Sequence, residues 1–216
     1  MVNSRNHWCR WVWGEKSKIN QILNNIIPVL KRNYIKRIVD ELHDYLKGNL
    51  TLEVYNSFIN QVAEEGSEEY KIACLISLSK YEENRKDSYN VLKYYPVIRS
   101  RIIQLYEDVF KEKRKVTKEL NRYGQRLSWH IQRLYRVRNS ISHSRETDDN
   151  IVSLVEHLHS YVDEVILDIL SRIAGEQKFE TIDNVLLDAQ VFIGNLTRDY
   201  SNNDELTPSD VQLLLK

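Results

Sequence analysis

Apolar positions along the chain recur mostly at three- and four-residue intervals. Ile98, Ile102, Leu105 and Val109 fall at i, i+4, i+7 and i+11. Leu120, Tyr123, Leu127, Ile131 and Leu134 continue the rhythm, and Ile151, Leu154, Leu158, Val162, Val165 and Ile169 form a third stripe. This is the period of a helix buried on one side, and no sustained two-residue alternation competes with it. The pattern predicts an all-α protein.

Punctuation residues divide the helices. An arm with Trp8, Trp11 and Trp13 is expected to end at Gly14, followed from about Glu15 by a helix that is interrupted or kinked at Pro28 and resumes to Lys47. Gly48-Asn49 reads as a stop. Thr51 reads as the cap of a short helix running to Glu65, and Ser67 opens the next. Residues 82–95 are polar and tyrosine-rich and read mainly as loop. Pro96 suits a first-turn position, starting a long helix expected to kink near Asn121–Gly124 and to continue to about Arg138. After a polar break at 144–150, a strong amphipathic helix covers 151–174 and stops at Gly175. A last helix spans roughly 179–199, and the tail 201–216 is polar with a short turn after Pro208.

Composition narrows the class. With 42% hydrophobic and 29% charged residues but only 6 Gly and 3 Pro, the chain is neither collagen-like nor low-complexity. Cys9 and Cys74 form no disulfide framework, so the chain reads as cytoplasmic. No apolar run suits a membrane span, and Arg5, His7 and Arg10 sit where a secretory signal would need an apolar region. No Gly-rich phosphate loop is present, and His157 and His159, at i and i+2, point away from one another on a helix and cannot chelate one ion. No metal or cofactor is expected.

The zero net charge hides a strong asymmetry. Residues 111–145 hold eleven Lys or Arg against two acids, a net of +9, while residues 146–216 carry −11. Either the basic helix is a polyanion-binding stripe, or it lies against the acidic helix and the charges cancel.

The stripe leads into Arg133-Leu-Tyr-Arg-Val-Arg-Asn-Ser-Ile-Ser-His143. Arg138, followed by the polar Asn139 and five positions on by His143, resembles the R-x4–6-H signature of the HEPN ribonucleases. These are small all-α domains of toxin–antitoxin, abortive-infection and antiviral-defence systems. A second match, Arg37 to His43, has an apolar residue after the arginine and is set aside.

The resemblance covers roughly residues 96–200. It implies a HEPN-like antiparallel helical bundle with additional N-terminal helices. The domain boundaries that follow are 1–95 for the Trp-rich arm and helical region, 96–200 for the HEPN-like domain and 201–216 for the polar tail. It also implies a metal-independent endoribonuclease leaving 2′,3′-cyclic phosphate and 5′-hydroxyl ends. His143 would be the acid/base, Arg138 the transition-state stabiliser and Asn139 their orienter, with Arg133, Arg136 and Arg145 on RNA phosphates. The alternative is a catalytically inactive module binding RNA or a protein partner.

The residue types suit this chemistry. Histidine titrates near neutrality, and an arginine fork stabilises charge gathering on phosphoryl oxygens. In a regular helix five residues subtend about 500°, leaving Arg138 and His143 about 140° apart. Either the backbone departs from helix near Ser140–Ser142, or a second copy completes the site. The resemblance implies the second: a homodimer with a composite site, restrained by an antitoxin or an upstream sensor.

Overall fold

The computed structural model describes the backbone of residues 5–144, 151–175 and 179–216, and the side chains of 18–142, 152–175 and 179–216. The described residues form helices without a strand: α1 (Arg5–Asn49), α2 (Leu52–Ile59), α3 (Glu68–Ser77), α4 (Glu82–Val91), α5 (Pro96–Leu105), α6 (Lys113–Ser144), α7 (Ile151–Ala174), α8 (Ile182–Asp199) and α9 (Pro208–Leu214). The all-α reading holds. No helix among the described residues is long and apolar enough to cross a membrane.

The chain divides into two compact units, each discontinuous in sequence. Unit 1 comprises Met1–Lys31 and Tyr123–Ile193; unit 2 comprises Arg32–Arg122 and Gly194–Lys216. The sequence boundary at 95/96 marks where the family resemblance stops, which is a different criterion from packing.

Unit 2 is built around α3. Ile72, Ala73, Cys74, Leu75 and Ile76 are all buried, and α2, α4 and α9 pack on this helix. The expected caps are in place: Thr51 accepts from the Val54 amide and Ser67 from the Tyr70 amide. Pro96 occupies the first turn of α5. Residues 201–216, a polar tail by sequence, are part of this unit. Leu206, Val211 and Leu214 are buried, and a capping box of Thr207 and Asp210 starts α9. The amides of Lys113 and Arg114 at the start of α6 donate to the carbonyls of Asp204 (2.8 Å) and Asn202 (3.0 Å). That satisfies donors a helix start leaves open.

The expected loop at 82–95 is instead helix α4 followed by a 3₁₀ turn, because its polar residues Arg85 and Ser88 point inward.

In unit 1, neither Gly14 nor Pro28 interrupts α1. Proline has no N–H, so the carbonyl of Asn24 one turn earlier loses its helical donor. The Gln190 side-chain amide of α8 donates to that carbonyl at 3.2 Å and so supplies a replacement. Gly124 does not interrupt α6 either: a side chain there would meet Lys31 Cδ at 3.1 Å, so the glycine lets α6 approach α1 closely.

A hydrogen-bonded network pins α1 to α3 in unit 2. Glu68 accepts from His43 (3.1 Å), Lys47 (3.0 Å) and Tyr55 (2.8 Å), which hold its carboxyl down to about 2. Burial alone would lower the pKa of His43. Hydrogen bonds to Glu68 and Asp44 and the nearby charge of Glu69 outweigh it and hold His43 above its ordinary value. A raised folded pKa gives stability that is complete below the unfolded value near 6.5 and fades as pH rises through the folded one. The contribution of Glu68 is complete above 4.5 and fades as pH falls through about 2. Urea unfolding from pH 5 to 9 should therefore show stability declining on the alkaline side. His43→Gln should flatten that limb; a limb identical in the variant would refute the assignment.

Candidate nucleic-acid interface

The motif lies in the last turns of α6. That helix does not end near Arg138 but continues to Ser144, so the backbone around Ser140–Ser142 is regular. The Ser142 hydroxyl folds back onto the Arg138 carbonyl at 2.9 Å, a bond a helical serine makes without leaving the helix. The option of a local departure from helix is therefore overturned. Arg138 and position 143 stay about 140° apart around the axis.

The Arg138 guanidinium is exposed and donates through Nη1 to the Asn139 side-chain oxygen at 2.9 Å. Asn139 thus contacts Arg138 directly. Position 143 lies one turn beyond Asn139 on α6; the His143 side chain is outside the described residues, and Arg145 lies wholly outside them.

Arg133 and Arg136 stand exposed on α6, and the Arg136 Nε donates to the Gln132 carbonyl at 3.4 Å. Among the described residues none of Arg133, Arg136 and Arg138 forms an ion pair with a carboxylate. Three acids of α7 and α8 have partners of their own. Asp163 meets His159 at 2.8 Å, Asp168 meets Arg172 at 3.2 Å, and Asp188 meets Arg172 at 3.7 Å. Among the described residues, these three arginines are not cancelled by acids of α7 or α8. Tyr135 is half-buried.

Sequence spacing gave no sign of one cluster in unit 1. His130 of α6 bonds the Tyr161 hydroxyl of α7 at 2.8 Å, and its ring meets His157 edge to face with centroids 4.9 Å apart. Burial lowers the His130 pKa, helped by His157 and Arg133, so its neutral form is favoured. His157 and His159 diverge as expected, and no group of three or more His, Cys, Asp or Glu suited to a metal occurs among the described residues.

The second arginine–histidine match separates. Arg37 lines a cleft of about 260 Å³ with Glu41 and Arg101, whereas His43 lines another, of about 860 Å³, with Asp40, Asp44 and Glu69. The two side chains do not converge.

The chain matches no known family model, and no curated protein or solved structure is significantly similar to it.

Proposed function

We propose that the chain is a metal-independent endoribonuclease of the HEPN type, acting in the cytoplasm as a toxin or antiviral-defence effector. The observation supporting this reading is the exposed arginine row near the end of α6. Among the described residues Arg133, Arg136 and Arg138 form no ion pair with a carboxylate, and Arg138 bonds Asn139. An arginine so placed is available to a phosphodiester.

In the proposed reaction an RNA 2′-oxygen attacks its own phosphorus. A neutral histidine takes the 2′-hydroxyl proton as the P–O2′ bond forms, Arg138 holds the phosphoryl oxygens, and the P–O5′ bond breaks as the departing oxygen takes a proton from the protonated histidine of the second motif. The products are a 2′,3′-cyclic phosphate and a 5′-hydroxyl. The test is incubation of purified protein with RNA in excess chelator. Cleavage with those ends supports the reading. Cleavage that requires Mg²⁺ overturns it, and salt-sensitive binding without cleavage favours the inactive RNA-binding module instead.

A regular helix that holds Arg138 and position 143 apart calls for a second motif, and we assign its source to a second copy. The surface offered is on α7, which follows the motif in sequence. Val155, Leu158, Val162, Ile166 and Leu170 share one face of this helix, each between 44% and 57% exposed. A face of this kind on a helix about 36 Å long is normally covered. Light scattering should find a dimer, and Leu158→Asp with Ile166→Asp should give a folded monomer with cleavage lost. A monomeric wild type at working concentration would refute the composite site.

A further inference from the structure

Trp129 is 69% exposed, in the middle of the basic half of α6. Large apolar side chains on a helix surface are usually explained by a neighbouring apolar patch awaiting a protein partner. Trp129 has no such neighbours on its own helix. Its companions three and four positions away are Gln125, Arg126, Gln132 and Arg133, and all four are exposed. The core of a protein–protein interface is depleted of charge, so arginines on both sides of an indole argue against that occupant. Arg126, Trp129, Arg133 and Arg136 fall at i, i+3, i+7 and i+10, which puts them on one face of α6. An exposed aromatic ring flanked by cations is the arrangement that single-stranded nucleic acids use: bases stack on the ring and the guanidinium groups follow the backbone.

We propose that Trp129 is a stacking platform for an unpaired RNA base, with Arg133 and Arg136 carrying the adjoining phosphates toward Arg138. The proposal rests on the RNA reading given above and adds a substrate class, single-stranded rather than duplex RNA. Bases in an A-form duplex keep their faces against one another and offer none to an indole.

The test measures binding separately from cleavage. A labelled 2′-O-methyl oligouridine has no 2′-hydroxyl to attack, so its anisotropy titration in chelator reads affinity alone. Trp129→Leu should weaken it about 10-fold while Trp129→Phe stays close to wild type, because every aromatic face can stack. Affinity for a duplex of the same length should be unchanged by either substitution. Arg133→Ala or Arg136→Ala should each reduce the salt slope by about one, and Trp129→Leu should leave the slope as it is. Equal binding by Trp129→Leu, or an equal loss on duplex, overturns the platform. So does a change of oligomeric state in Trp129→Leu, which would make the indole a protein contact. A wild type that binds no RNA overturns the RNA reading as well. Binding of the inert strand without cleavage of ordinary RNA overturns only the nuclease.

Discussion

RNA cleavage in excess chelator is expected to fall about 10³-fold in His143→Ala, the range over which a positioned acid or base contributes. Arg138→Ala should lose a similar factor, because a guanidinium aimed at the phosphoryl oxygens acts where charge develops. The loss should sit in kcat, since Arg133 and Arg136 remain to bind the strand. Arg138→Lys separates charge from geometry: an ammonium keeps the attraction but not the planar fork, so binding should recover and the rate should not. Asn139→Ala releases the Arg138 Nη1 contact at 2.9 Å and should cost less, about 10-fold, by loosening a group it does not replace. The wild-type rate should bend near the titration range of histidine, and His143→Ala should erase that bend. Unchanged rates in His143→Ala would exclude it as the acid or base and turn attention to His130 and His157.

The candidate site was half legible in sequence. Charge segregation marked α6, and the Arg–Asn–His spacing marked its end. Hidden was the backbone between them: Asn139, Ser140 and Ser142 have poor helix propensity and read as a helix end, yet α6 carries them to Ser144. His130 and Tyr161 meet only because α7 returns alongside α6, a pairing no local pattern encodes. Trp129 gave no sign in the sequence, since exposure cannot be read from residue type. In the fold, signals that act within a few residues were read correctly: Thr51, Ser67, Pro96, and the span of α7 up to Gly175. Signals that depend on a distant partner were not. Pro28 stays inside α1 while Gln190 bonds the carbonyl it orphans, and Gly124 stays inside α6 where Lys31 packs beside it.

The polar stretch 82–95 is the largest departure, and Arg85 explains it. A segment with few apolar residues folds as helix α4 because its arginine is needed inside. Arg85 is 2% exposed, and its Nη1 donates to the carbonyls of Leu75 (2.9 Å) and Leu78 (3.3 Å) at the end of α3. Those carbonyls belong to the set a helix end leaves without partners, and a cation there also meets the negative end of the helix dipole. The guanidinium lies over the Tyr106 ring at 3.9 Å, in the π-turn Tyr106–Phe110 that follows α5. One side chain thus ties α3, α4 and that turn together. Removing it strips the Leu75 carbonyl of this donor, leaves Leu78 with its Tyr81 amide alone (3.1 Å) and opens a gap over the ring; together these losses exceed the desolvation recovered from the arginine itself. Arg85→Ala should destabilise unit 2 by about 3 kcal/mol, read as the shift in the urea midpoint. Arg85→Lys should recover little, since one ammonium cannot face two carbonyls and cover a ring at once. Tyr106→Leu should cost about 1 kcal/mol, and combining it with Arg85→Ala should cost less than the two alone, because the cation–π contact is then lost only once. An Arg85→Ala midpoint close to wild type would mean that water serves these carbonyls and that α4 is held by something other than its arginine.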